Sequence, residues 1–367
     1  MKKAILLITW VFLLITACHA PKHGTGDAAK PEVHNIILLI GDGMGITQIS
    51  AGMYTSPKPL SLEQFRVIGL HKSYSASNLI TDSAAGATAF ASGVKTYNGA
   101  IGVNADTLPV QTILEEMEGK GYCTGLIATS TIVHATPAAF IAHVKERHLY
   151  DEIAEWFLKT DIDLFVGGGM RFFENRPDKR NLMEELRAKG YTAQDSSSMP
   201  LEQLPWKKAK KIAYLTSYED PARYADGRRY LVPAVQHGLD FLSRCARKNK
   251  GFFLMVEGSQ IDWGGHANDS DYIISEMLEF DKAVAEALAF AKKDKHTLVI
   301  VTADHETGGY AILPGSSMGH IQGGFSSNYH TADLIPVFAY GPGAEAFAGI
   351  YQNTDIYYKM KNSLQLK

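Results

Sequence analysis

Cysteine is scarce in this chain, with three in 367 residues and none in CxxC or zinc-finger spacing. A thiolate metal finger or a dithiol redox motif is therefore not on offer. An excess of either charge is missing as well: 36 Lys and Arg face 39 Asp and Glu, for a formal net charge of -3. With no dense Lys/Arg run, nucleic acid finds no electrostatic footprint and is not expected as a specific partner. Internal repeats and low-complexity blocks are lacking. The Gly41-Asp42-Gly43-Met44-Gly45 stretch does not complete GxGxxG, and no second His follows His305 by four residues, so the dinucleotide and zincin readings both fall. No apolar run is long enough for a comfortable bilayer span, since the longest, Ala4 to Ile15, is too short.

That short run has a meaning of its own. Lys2 and Lys3 precede it, as in an export signal, so residues 1–17 are expected to be a cleaved signal peptide. Ile15-Thr16-Ala17-Cys18 resembles a bacterial lipobox, which would leave Cys18 as the lipidated first residue of a membrane-anchored lipoprotein facing the periplasm or the cell surface. Residues 18–33, rich in Pro, Gly, Lys and Ala, read as its tether, and residues 34–367 as the folded domain. Cys123 and Cys245 remain, and the sequence leaves their pairing open.

What is present is alternation. Apolar runs at Asn35–Ile40, Tyr122–Ala128, Asp163–Val166, Phe252–Val256, Thr297–Thr302 and Pro336–Tyr340 alternate with helix-like stretches at Val110–Lys120, Asp151–Lys159, Leu182–Lys189, Val232–Lys248 and Tyr272–Lys292. This predicts an α/β fold, a three-layer α/β/α sandwich around a mostly parallel sheet. Ligands of such sheets sit beyond the carboxyl ends of the strands. Those ends are polar here: Gly41-Asp42-Gly43, Thr129-Ser130-Thr131, Glu257-Gly258 and Ala303-Asp304-His305. Asp262 and His266 stand four apart, on one face of a helical turn. Asp82-Ser83 opens the small-residue segment Ala84 to Ala89, which suits a helix presenting Ser83 to an anion, although an N-cap is the commoner job for such residues.

Taken together, GDGMG around Asp42, Thr81-Asp82-Ser83-Ala84-Ala85-Gly86-Ala87-Thr88-Ala89, His134-Ala135-Thr136-Pro137, Glu257 through Asp262 with His266, Thr302-Ala303-Asp304-His305 and Tyr329-His330-Thr331 resemble the alkaline phosphatase family, in its order, over residues 42–331. The resemblance implies a phosphomonoesterase acting on small phosphomonoesters through a phosphorylated serine, Ser83. It implies one zinc held by Asp262, His266 and His330, a second by Asp42, Asp304 and His305 with Ser83 touching it, and a magnesium held by Asp42, Thr136 and Glu257. Arg147 stands where the family grips the phosphate with a bidentate guanidinium. Three divalent ions bring +6 against -4 from Asp42, Glu257, Asp262 and Asp304, which leaves a site suited to a phosphate dianion. Family members are often dimers, and a homodimer is expected by that analogy.

Two positions depart from the best-known bacterial pattern. His134 replaces an Asp beside the third ion, which opens that site to zinc, and Trp263 follows Asp262 where Lys or His is familiar. The chain is short for the family, so Tyr310 to Asn328 holds a reduced loop insertion over the active site. His143 and His148 take no role from the resemblance and read as structural or solvent-facing. Two rivals are weighed: a sulfatase or phosphodiesterase, set aside because no CxPxR-type motif is present and the nucleophile is Ser, and a lipoprotein that binds zinc or phosphate without turnover, which would have no use for Ser83.

Overall fold

The computed structural model describes residues 32–247 and 250–366. The expected signal peptide, Cys18 and all but the end of the tether lie outside the described residues.

Fourteen strands are present among the described residues: β1 (Asn35–Gly41), β2 (Val67–Lys72), β3 (Cys123–Thr131), β4 (Leu164–Gly168), β5 (Tyr191–Asp195), β6 (Lys211–Leu215), β7 (Phe252–Gly258), β8 (Thr297–Thr302), β9 (Glu306–Thr307), β10 (Tyr310–Ile312), β11 (Gly323–Phe325), β12 (His330–Thr331), β13 (Leu334–Tyr340) and β14 (Gly349–Gln352). Ten form one sheet in the order β14-β2-β13-β8-β1-β7-β3-β4-β6-β5. β13 alone runs against its neighbours β2 and β8. The Pro336–Tyr340 run is thus the antiparallel member of the otherwise parallel sheet. β2, β5, β6 and β14 were not legible as strands, because each is short and interleaves polar residues or glycine, as in VIGLHK and YTAQD.

The sheet is covered on both faces. In β1, Ile36, Leu38 and Ile40 join one apolar core while Ile37 and Leu39 join the other, as a period-two strand buried on both sides must. The first core takes α2 (Ser83–Ser92), α3 (Ile113–Gly119), α4 (Ala135–Ala138), α5 (Tyr150–Lys159), α6 (Arg171–Glu174), α7 (Leu182–Ala188) and α11 (Asp355–Ser363). The second takes α1 (Ile46–Thr55), α8 (Leu231–Ala246), α9 (Gln260–His266) and α10 (Ser270–Asp294). This is the three-layer sandwich expected from the alternation. The insertion of Tyr310 to Asn328 carries the antiparallel pair β10·β11 and is pinned to α1 by Gly319 N–H donating to Tyr54 O.

Cys123 opens β3 and Cys245 lies in the last turn of α8, and the two form a disulfide with Cα atoms 6.2 Å apart. The bridge fastens α8 to the sheet it covers. Because it closes a loop of 122 residues, its removal should cost about 4 to 5 kcal/mol by chain entropy. Thermal unfolding of the Cys123→Ala, Cys245→Ala double variant should show a clear drop in Tm, and an unchanged Tm would mean that the bridge does not stabilise the fold.

Candidate active site

The functional side chains gather because the parallel sheet delivers its strands to one edge. Asp42 follows β1, Glu257 lies near the end of β7, and Asp304 and His305 follow β8, all fully buried. The chain leaving β3 turns at His134, the N-cap of α4, and places Thr136 in its first turn. α9 follows β7 at once, so Asp262 and His266 share one face of a short helix. His330 comes from far along the chain, brought in by the β9·β12 pair that sets it opposite Thr307.

Hydrogen bonds around the histidines decide what the cluster can hold. His266 Nδ1 lies 2.8 Å from Asn328 O, and His330 Nδ1 lies 2.8 Å from Thr81 O. A carbonyl can only accept, so each Nδ1 carries the hydrogen and each neutral ring is left with a bare lone pair on Nε2. Those two Nε2 atoms face each other at 3.1 Å. Asp262 Oδ1 joins them, 3.4 Å from His266 Nε2 and 3.5 Å from His330 Nε2. The two ring lone pairs meet no donor among the described residues, and Asp262 Oδ1 takes one only from Thr307 Oγ1, so the three repel one another unless a proton or a cation sits among them.

The neighbouring cluster repeats the pattern. Thr307 Oγ1 donates to Asp262 Oδ1 at 2.5 Å, so its oxygen is left to accept from His305 Nδ1 at 3.2 Å. His305 Nε2 therefore points at Asp304 Oδ2, 3.1 Å away, at Asp42 Oδ1, 3.5 Å away, and at Ser83 Oγ, 3.4 Å away. Both carboxylate oxygens of Asp42 and Oδ2 of Asp304 are buried with no hydrogen-bond partner. The ligand atoms of Asp42, Asp304 and His305 lie within 4.8 Å of one another, as do those of Asp262, His305 and His330. Orphaned buried oxygens recur at Glu257 Oε1 and Thr136 Oγ1. Buried polar groups are nearly always satisfied, so this concentration of exceptions fits absent cations.

The titration of the cluster points the same way. Burial, then the charges of Asp304, Asp262 and Glu257, push Asp42 well above the usual carboxylate range. Burial raises Glu257 to about 7. His330 falls to about 4 through burial and then the neighbouring His305. His305 is raised even though burial works against it, because Asp304 beside it outweighs that cost. Without a metal, protons supply the counter-charge.

Above these groups lies an open cleft of about 350 Å³ lined by Ser83, His134, Arg147, Trp263 and His330 among others. Ser83 is the first residue of α2, whose cap is Asp82. Asp82 spends one carboxylate oxygen on Ala85 N–H and the other on Gly99 N–H and Arg147 Nη1, the last at 2.9 Å. The cap of the serine helix thereby also aims the arginine. His134 stands edge-on to Trp263, ring centroids 6.2 Å apart, with Nδ1 unpartnered. Burial and then Arg147 push its pKa down to about 3, so the ring is neutral at physiological pH.

Ser83, Arg147, Asp262, His266, His330 and His134 thus share the cleft, and Asp42, Asp304 and His305 form the buried cluster that Ser83 touches. His143 is structural, bound to Glu115 at 2.8 Å and to Gly102 O at 2.6 Å. His148 and Tyr329 line the cleft, which the sequence did not reveal. Glu306 was also missed. Its buried carboxylate accepts from Gln48 Nε2, Tyr310 N–H, Gly309 N–H and Thr331 Oγ1, and so ties α1 and β12 to the turn that carries His305. Its place directly after Asp304-His305 was the only signal in the chain.

Comparison with known proteins decides the family. The alkaline phosphatase family profile matches residues 33–323. The chain belongs to the alkaline phosphatase family. It is 35% identical to alkaline phosphatase 4 of Bacillus subtilis over 89% of this chain and 87% of that one, and 33% identical to alkaline phosphatase of Escherichia coli over 96% and 92%. The structure of alkaline phosphatase from the Antarctic bacterium TAB5 superposes with a TM-score of 0.86 at 42% identity, covering 92% of this chain and 99% of that one. As a member of this family the enzyme hydrolyses phosphomonoesters, and the family implies metals.

The proton-or-cation character of the clusters has a consequence for stability. Glu257 moves from the ordinary 4.5 to about 7 on folding, and Asp42 also moves up. A carboxyl raised by folding stabilises the protein below its unfolded pKa, and that contribution is lost as pH rises through the folded value. Because His330 and His134 are lowered from 6.5 on folding and so add stability as pH rises to that value, the loss should show in the metal-free protein chiefly as a fall in Tm between about pH 6.5 and pH 8, while excess zinc, which binds better as the protons leave, should abolish or reverse the slope. Thermal unfolding in chelator and in zinc across that range is the measurement, and parallel curves would contradict the reading.

Proposed function

We propose that the enzyme is a two-zinc, one-magnesium phosphatase that works through phosphorylated Ser83. One observation carries this: two histidine Nε2 atoms and a carboxylate oxygen converge with both ring N–H groups turned away, beside a serine hydroxyl at a helix amino end. Asp262, His266 and His330 hold the first zinc, and Asp42, Asp304 and His305 the second. Asp42, Thr136 and Glu257 hold the magnesium, with His134 at its margin. When bound, the ions supply positive charge to the oxygens of the phosphoryl group being transferred.

The chain's own groups do the rest. The amino end of α2 favours the anion, and Arg147, fixed through Nη1 to Asp82, offers its remaining N–H groups to the phosphate oxygens. Ser83 Oγ forms a bond to phosphorus as the bond to the ester oxygen breaks, and the departing alcohol ends with the proton that the serine loses. Water then displaces phosphate from Ser83 and restores the hydroxyl. A cleft this open discriminates little among leaving groups, which favours varied small phosphomonoesters as substrates.

Export to an oxidising compartment, with Cys18 lipidated and residues 18–33 as tether, completes the proposal. The Cys123–Cys245 disulfide supports it, because such bridges persist outside the reducing cytosol. A homodimer is carried over from the family by analogy.

Ser83→Ala should lower monoester hydrolysis by orders of magnitude while the fold and metal content persist, and phosphate labelling of the protein should vanish. Labelled phosphate recovered on any other residue of the wild type would sink the mechanism. The third site has its own test. A variant of the TAB5 enzyme with a histidine replaced by aspartate was solved with Mg bound in the M3 site. By that parallel His134→Asp should tighten magnesium, since an imidazole suits zinc and magnesium prefers oxygen. In a magnesium titration of activity at fixed zinc, the wild type should need more magnesium and be inhibited by excess zinc, and equal midpoints would show that His134 does not set the affinity.

A further inference from the structure

The edge of the sheet opposite the cleft is where the described chain enters and where its helices return. His34 and Asn35 N–H groups donate to His296 O, and β1 starts beside β8 with Asn35 opposite Thr297. α8 and α10 end on this edge, just before β7 and β8 begin. Positive charge collects there, which the balanced charge of the whole chain conceals. An open cavity of about 590 Å³ is lined by Lys207, Lys208, Lys210, Arg244 and Arg247, with no carboxylate among the described residues of its walls. The end of α10 adds Lys292, Lys293 and Lys295, all exposed.

Four acidic groups of the same edge have partners there, while Asp240 and Glu286 line the neighbouring cavity with Lys293, so the uncompensated charge centres on the first cavity. Asp294 accepts from Asn35 and Thr297, Asp161 pairs with Lys211, and Glu118 and Asp163 turn to Thr124. Lysines at helix carboxyl ends are commonplace, because they offset the dipole. Lys207, Lys208 and Lys210 have no such explanation, since they lie in the turn that leads into β6.

We infer that this basic face docks on an anionic lipid bilayer and so holds the phosphatase cleft toward the aqueous phase. The occupant follows from charge and from the chain outside the structure. Residues 19–31 join Cys18 to the edge at Glu32, and a chain of that length reaches no farther than about 45 to 50 Å at full extension. A domain tethered so closely meets the surface at high effective concentration, and a cluster of four to eight Lys and Arg beside an anchor suits anionic headgroups. The setting rests on the export and anchoring proposed above, whereas the test does not use the anchor.

The exported chain with Cys18→Ser, loaded with zinc and magnesium, is sedimented with vesicles of phosphatidylcholine alone or with about one-third phosphatidylglycerol. Binding is expected only to the anionic vesicles and should be lost in high salt. Replacing Lys207, Lys208 and Lys210 by Glu should weaken it more than a hundredfold, at about fivefold for each of the three charges removed, with hydrolysis of a soluble monoester unchanged. The same three positions as Gln give a milder loss and guard against misfolding of the Glu variant. Equal binding to both vesicles, binding unaffected by the substitutions, or binding to heparin without binding to vesicles would each overturn the inference. Failure of the wild type to partition with membranes would instead count against Cys18.

Discussion

Everything at the cleft depends on a buried surplus of acceptors. Asp42, Glu257, Asp262 and Asp304 bring four carboxylates into a region where a single unpaired ion costs several kcal/mol. His266 and His330 add lone pairs aimed at the same space. Protons or cations must supply the counter-charge, so the surrounding protein holds these groups in place against their mutual repulsion. The main-chain carbonyls of Thr81 and Asn328 and the hydroxyl of Thr307 are the fixtures that choose which nitrogen of each ring faces inward. Such outer partners fix ring orientation and tautomer in metal sites generally.

The sheet supplies rigidity for that task. β1 lies between β7 and β8, and the three strand ends deliver Asp42, Glu257 and Asp304 in neighbouring positions. The serine helix must approach this edge closely, and its small residues permit it: a side-chain carbon on Gly86 would meet Asp304 Cβ at 3.0 Å. Gly43, with φ of +71°, turns the chain after Asp42 so that its N–H reaches Asp304 Oδ1 at 3.3 Å. The glycines of the GDGMG segment thus serve the buried carboxylate cluster and not a nucleotide loop.

How much of this was legible varies with how local its cause is. The strand ends with Asp42, Glu257 and Asp304 could be read from alternation, because a polar residue after an apolar run has a single edge to occupy. His330 could be assigned only by resemblance, since it arrives through the two-residue strand β12 with no periodicity to announce it. Glu306 and Thr307 were out of reach, because their roles exist only once β9 meets β12. Cys123 and Cys245 could not be paired from positions 122 residues apart, and the basic face draws on the ends of separate elements.

The central claim is that the converging acceptors are two metal sites. Diffraction from crystals of the active enzyme, measured on either side of the zinc absorption edge, tests it most directly. Two strong zinc peaks are expected, one among Asp262, His266 and His330 and the other among Asp42, Asp304 and His305 beside Ser83 Oγ. Fully active crystals with no peak at either place would contradict it.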